Sequence, residues 1–246
     1  MVDPEIHVFP DEDALADFAL SVWEAAARAS TGTGKFTVAL SGGKTPVLLY
    51  RKLASRPDLP WRETIVFFAD ERLVPGDHPW SNFRLARETL LEKISLPPGN
   101  VHPAATGKGS PEAAAENYEI ILRRHFGETG KTAPVFDLVL LGLGEDGHTA
   151  SLFPGSRLLQ EETRWAAAEV SPAITPPRIT LTLPIINRAA GVLFLVSGRN
   201  KAEVLKRVVE DRDPALPASL VRPVSGRLIF AVDRYAAQCL RVHDRL

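Results

Sequence analysis

Apolar and polar residues follow two rhythms along this chain. Short, strand-length apolar runs recur at Glu5–Phe9, Phe36–Leu40, Thr64–Ala69, Asp137–Leu143, Val192–Val196 and Leu228–Val232. Between several of them the apolar positions repeat with helical spacing, as in Leu15, Phe18, Ala19 and Val22. The first such segment has Asp11 or Asp13 as its cap and extends to about Ala29. Further helices are predicted over Val47–Leu53, Ser81–Ile94, Pro111–Phe126 and Asn200–Glu210, with Pro111 suited to a first turn. Trp165–Val170 and Ile179–Leu183 read as two more strands, and the proline-rich Ser171–Pro177 as a loop. Strands alternating with helices predict an α/β fold built on an open, mostly parallel sheet with helices on both faces. The Asp137–Leu143 run is apolar enough to be a central strand, buried on both sides. No repeat or linker interrupts the pattern, so residues 1–246 are expected to form a single domain.

Composition narrows the class. With 246 residues, 45% hydrophobic and 24% charged, the chain can bury a sizeable core and is not of disordered type. Its net charge of −1 offers no electrostatic footprint for nucleic acid, though a local basic pocket for a small anion remains compatible. Cys239 is the only cysteine, which excludes intrachain disulfides and cysteine-based zinc sites. The opening residues are acidic and do not read as a secretory leader, and no apolar run is long enough to cross a bilayer. A cytoplasmic protein without membrane partners is expected.

Four polar clusters directly follow predicted strands: Ser41–Thr45, Asp70–Arg72, Gly144–Thr149 and Ser197–Lys201. Each alone could be an ordinary turn. Together they carry complementary chemistry at the strand ends where open α/β sheets bind ligands. In Ser41-Gly42-Gly43-Lys44-Thr45-Pro46 the glycines allow close backbone approach, and the following helix start supplies free N–H groups, a plausible phosphate cradle. It is not a complete nucleotide loop, since Val38 stands where that pattern needs glycine. Nor is it a hydrolase nucleophile elbow, since Ala39 stands at the other required glycine. Gly142-Leu143-Gly144-Glu145-Asp146-Gly147 imitates a dinucleotide fingerprint, but Pro154 and Gly155 interrupt the long helix that fingerprint requires.

His148 follows this turn with Asp146 two residues earlier. A carboxylate-poised imidazole suits general-base work near neutral pH; a structural loop histidine is the plainer alternative. No second histidine is close enough in sequence to suggest a metal site, and His78 and His102 receive no role. Arg178, opening a predicted strand, and Lys201, opening a predicted helix, are basic residues that could close on a phosphate.

Three segments in this order are similar to the 6-phosphogluconolactonase family: Ser-Gly-Gly-Lys-Thr-Pro; Phe-Ala-Asp-Glu-Arg with Ser-Asn-Phe-Arg beyond it; and Gly-Leu-Gly-Glu-Asp-Gly-His-Thr-Ala-Ser-Leu-Phe-Pro-Gly. The resemblance runs from about Phe9 to Tyr235. It implies a Rossmann-like enzyme without cofactor or metal that hydrolyses 6-phosphoglucono-δ-lactone to 6-phosphogluconate in the oxidative pentose phosphate pathway. The implied partner is that small sugar-phosphate lactone, with the protein a monomer or small homo-oligomer. The resemblance further implies His148 as base, Asp146 as its orienting carboxylate and Arg72 as carbonyl-polarising or substrate-binding group. Gly42, Gly43, Lys44, Thr45, Asp70, Arg178 and Lys201 would bind substrate and its phosphate.

The related glucosamine-6-phosphate deaminases share the Ser-Gly-Gly loop and the Gly-His turn. They typically carry Tyr where this chain has Arg72, and Glu where it has Phe153. Loss of that Glu favours the lactonase over an isomerase, which needs it for proton shuttling. A non-catalytic sugar-phosphate sensor is the alternative from another class, but it would normally carry a DNA-binding segment that this near-neutral chain does not show.

Overall fold

The computed structural model describes residues 3–31, 34–104, 109–127 and 134–241. The elements in chain order are β1 (Glu5–Phe9), α1 (Glu12–Thr31), β2 (Phe36–Leu40), α2 (Pro46–Ala54), β3 (Thr64–Phe68), β4 (Asp70–Arg72), α3 (Asn82–Thr89), α4 (Pro111–Phe126), β5 (Leu138–Leu141), β6 (Ala166–Ser171), β7 (Ile174–Leu181), α5 (Leu183–Ile186), β8 (Gly191–Val196), α6 (Ala202–Val209) and β9 (Arg227–Asp233). Short 3₁₀ turns join several of them.

Six strands form one parallel sheet in the order β1-β9-β8-β5-β2-β3. Every residue of β2, β3 and β5 is buried, so both faces of the sheet are covered there. The apolar run at Asp137–Leu143 thus becomes β5, between β8 and β2. One continuous core joins α1, the sheet and the C-terminal segment, from Leu15 and Trp23 through Phe67, Leu140 and Phe194 to Leu240. Among the described residues no helix is long and apolar enough to cross a membrane.

Local signals explain many boundaries. Asp11 accepts the Ala14 N–H at 2.9 Å and starts α1. Ser110 caps α4 through the Ala113 N–H, with Pro111 in the first turn. The helix predicted over Ser81–Ile94 is shorter: Ser81 caps α3, and the chain leaves helical geometry at the buried Leu90 before a 3₁₀ turn over Leu91–Lys93.

The sequence pattern did not anticipate a second sheet, antiparallel, in the order β4-β7-β6. The chain changes sheets at Ala69, whose N–H bonds to Leu40 in the parallel sheet and whose carbonyl accepts from Leu181 in β7. Asp70–Arg72 therefore forms a strand of its own, paired with Arg178–Thr180, rather than the tail of β3. The proline-rich stretch read as a loop is instead a tight β6–β7 hairpin. Pro176 and Pro177 lie in β7, and the Pro177 carbonyl accepts the Leu73 N–H at 2.8 Å. Arg178 lies within β7 instead of opening it.

At the outer edge of the parallel sheet, Phe67 packs against His102, His125, Phe126 and Phe136. Burial, the neighbouring His102 and the charge of Lys35 push His125 down from the ordinary 6.5 to about 4. The folded protein thus binds this proton less readily than the unfolded chain. Its contribution to stability is present above pH 6.5 and is lost as pH falls toward about 4. His125→Phe, which keeps an aromatic ring there, should flatten the acid limb of stability across that window. Urea midpoints measured through it check this, and an unchanged slope counts against the assignment.

Candidate active site

The parallel sheet reverses its winding between β2 and β5. From β2 the chain continues outward to β3; from β5 it proceeds the other way, to β8 and β9. The loops leaving these neighbouring strands therefore diverge and open a crevice at their carboxyl ends. A cleft of about 470 Å³ occupies it. Its walls come from the loop after β2 (Ser41–Pro46), from Asp70, Arg72 and Asn82, from the turn after β5 (Gly142–Gly144 and His148), and from the end of β8 with Ser197, Asn200 and Lys201. Of the residues singled out from sequence, Gly42, Gly43, Lys44, Thr45, Asp70, Arg72, His148 and Lys201 meet here. Asp146 and Arg178 are not on the wall.

The loop after β2 is held from both sides. Tyr50 donates to the Ser41 carbonyl at 2.6 Å, and the hydroxyls of Thr45 and Ser197 lie 3.1 Å apart, joining the β2 and β8 walls. Gly43 adopts φ +95°, and a Cβ on Gly42 would fall 1.8 Å from Asn82 Oδ1. Asn82 presses this close because its amide also donates to Asp70 Oδ1 at 3.1 Å and to the Asp70 carbonyl at 3.0 Å. Ser151 donates to the other Asp70 oxygen at 2.7 Å.

Beside it, Glu71 is buried and accepts four hydrogen bonds: from the Arg72, Asn82 and Phe83 N–H groups and from the Ser81 hydroxyl. Burial pushes its carboxyl above the usual range, while those donors pull the other way. Glu71 thereby ties the start of α3 to β4 and fixes where Arg72 enters the cleft. The Arg72 guanidinium donates to the Trp80 carbonyl at 2.6 Å. Arg178 lies opposite Arg72 in the β4–β7 ladder. Burial, and then the charge of Arg72, hold Arg178 below its ordinary range. The Nε atoms of both arginines are buried without a partner.

The turn after β5 orients the histidine. Gly144 donates to the His148 carbonyl at 2.8 Å, and a Cβ there would fall 2.1 Å from His148 Nδ1. Asp146 Oδ1 lies 2.5 Å from Nδ1 and also accepts the His148 backbone N–H at 3.1 Å. Partial burial would raise the Asp146 carboxyl, but the His148 N–H and imidazole outweigh it and hold the group below the usual range. Phe153 packs against the imidazole with ring centroids 4.6 Å apart. Among the described residues no cluster of three or more His, Cys, Asp or Glu side chains could hold a metal ion.

Sequence reasoning placed Ser41 in a pocket-lining cluster and rejected it as a nucleophile; it met Asn82 only in a predicted helix and in the Ser-Asn-Phe-Arg segment, and gave it no site role. Ser41 Oγ is buried without a partner in a residue that lines the cleft. The Ser-Asn pair at a helix start was the available signal for Asn82. Its contact with Gly42 required the fold.

The Gly42–Asn82 contact generates a stability prediction. Gly42→Ala should lower the unfolding free energy by about 1–3 kcal/mol through overpacking. In an Asn82→Ala background most of that loss should disappear, because the colliding amide is gone. Denaturant titration of the four proteins measures both effects, and equal losses in the two backgrounds would contradict the contact.

Over residues 10–230 the chain matches the family described as glucosamine-6-phosphate isomerases/6-phosphogluconolactonase. It is 42% identical over 241 residues to a 6-phosphogluconolactonase of Synechocystis sp., covering 97% of this chain and 99% of that one. It is 44% identical to the 6-phosphogluconolactonase of Rattus norvegicus, covering 96% and 94% of the two chains. The solved structure of 6-phosphogluconolactonase from Trypanosoma cruzi superposes with a TM-score of 0.85 at 34% identity, covering 97% of each chain. The chain therefore belongs to the glucosamine-6-phosphate isomerase/6-phosphogluconolactonase family.

Proposed function

We propose that this chain, acting as one domain over residues 1–246, hydrolyses 6-phospho-D-glucono-1,5-lactone to 6-phospho-D-gluconate. The observation that carries the reading is His148, held by Asp146 at 2.5 Å and facing a cleft that also presents Lys44, Arg72 and Lys201. A lactone is an activated ester. Its hydrolysis needs a base for water and a stabilised oxyanion, not a nucleophilic side chain. With Nδ1 committed to Asp146, Nε2 of the neutral imidazole takes a proton from water as the water oxygen bonds to the lactone carbonyl carbon. Arg72 stabilises the oxyanion. Collapse re-forms the carbonyl and breaks the bond to the ring oxygen, which receives the proton from His148. The products are the sugar hydroxyl and the carboxylic acid, which ionises.

The loop Gly42–Thr45 at the start of α2, together with Lys44 and Lys201, is assigned to the phosphate, with Arg178 as a further basic neighbour and Asp70 to a sugar hydroxyl. Phe153 against the imidazole supports lactone hydrolysis over the deaminase reaction, because an apolar ring occupies the place of the carboxylate that reaction uses. A single cysteine and a net charge of −1 accord with a cytoplasmic enzyme of a small anionic substrate, without nucleic acid.

Lactone loss and ammonia release, followed side by side on 6-phosphogluconolactone and glucosamine 6-phosphate, test the reaction class. Turnover of the lactone alone is expected, and comparable ammonia production would overturn the assignment. His148→Ala should lower kcat by about 10²–10⁴-fold while leaving the fold intact, after correction for spontaneous hydrolysis. Asp146→Asn, which removes the carboxylate that holds Nδ1, should lower kcat with KM little changed. A His148→Ala protein with near wild-type corrected turnover would end this mechanism.

A further inference from the structure

Lys201 is not anchored by a long helix. It ends the 3₁₀ turn Arg199–Lys201, which precedes α6, and that turn begins at Gly198 with φ +96°. Two carboxylates from different parts of the chain hold the segment. From the core side, Asp233 at the end of β9 is 3% exposed, and both of its oxygens lie 3.1 Å from the Gly198 nitrogen. Asp233 also accepts the Ala236 N–H at 2.7 Å, so its own position is fixed. From the opposite wall, Glu145 in the His148 turn accepts the Asn200 side-chain amide at 2.6 Å. That bond links the turn bearing Lys201 to the turn bearing the imidazole.

We propose that Asp233 and Glu145 are positioning residues: by gripping Gly198 and Asn200 they set Lys201 in register with His148, so that the anionic end of the substrate is captured at a fixed distance from the reacting carbonyl. This rests on the assignment of Lys201 to the phosphate. Two negative groups beside an anion site are unfavourable for the anion by charge alone. Here both Asp233 oxygens accept from Gly198 and one Glu145 oxygen accepts from Asn200, so the carboxylates stabilise the turn that presents the cation. Glu145 is next to Asp146, which makes an effect through the imidazole the natural rival explanation, and the two differ in their kinetic signature. An interaction with the remote phosphate persists from ground state to transition state, so weakening it raises KM and spares kcat. A disturbed Asp146–His148 pair lowers kcat.

Glu145 is exposed, so its substitution leaves the core untouched. Glu145→Ala should raise KM for the phosphorylated lactone about 3- to 10-fold, the scale of one lost hydrogen bond, with kcat within about twofold of wild type. Glu145→Gln, whose amide oxygen still accepts from Asn200, should restore KM. Asp233→Asn, which keeps one acceptor oxygen, should raise KM in the same sense, with its melting temperature recorded alongside. In a Lys201→Ala background Glu145→Ala should add little, because the cation it positions is gone. A fall in kcat with KM unchanged, or full additivity with Lys201→Ala, overturns the positioning role while leaving the lactonase assignment standing. An unchanged KM in Lys201→Ala itself overturns the phosphate assignment and this inference with it.

Discussion

A parallel sheet covered on both faces cannot carry polar chemistry along its strands, and the rest of this molecule depends on that constraint. The side chains of β2, β3 and β5 are spent on the core. Polar function is displaced to where the strands end and backbone groups emerge unpaired. The winding reversal between β2 and β5 then marks one place among those ends, where neighbouring loops part and leave the cleft. The cation-bearing loops and the histidine turn are neighbours for this reason, although about a hundred residues separate Lys44 from His148.

Loops at such a site lack the ladder bonds that hold strands, and here buried carboxylates take over that work. Glu71 accepts from three backbone N–H groups and a hydroxyl around the start of α3, Asp233 holds Gly198, and Asp70 is fixed by Asn82 and Ser151. Each would be costly to bury unpaired and is buried with its acceptor capacity used. The walls around the cleft are thus fixed by the protein's own hydrogen bonds, which is the preorganisation that the proposed lactone hydrolysis calls for.

The second, antiparallel sheet has a role in this economy. By drawing Asp70–Arg72 away from β3 into pairing with β7, it brings Arg72 to the cleft and stacks Arg178 opposite it. Two guanidiniums in register repel one another, and each retains a buried Nε without a partner.

By itself the sequence determined the alternation of strands and helices, the central placement of the Asp137–Leu143 run, the polar clusters at strand ends and the His148–Asp146 pair. These are legible because they depend on local periodicity, capping and short spacings: Asp11 and Ser110 act within one turn of their helices, and Asp146 reaches an imidazole two residues away. The packed fold alone set Asp70–Arg72 in a second sheet, made Ser171–Pro177 part of a hairpin and pressed Asn82 on Gly42. It likewise set Arg178 off the cleft wall and brought Asn82 onto it. Those outcomes turn on pairings between distant segments, such as Ala69 with Leu181 or Glu145 with Asn200. Their energies come from burial and hydrogen-bond satisfaction summed over the packed fold, and a local pattern of residues carries no record of which distant donor will arrive.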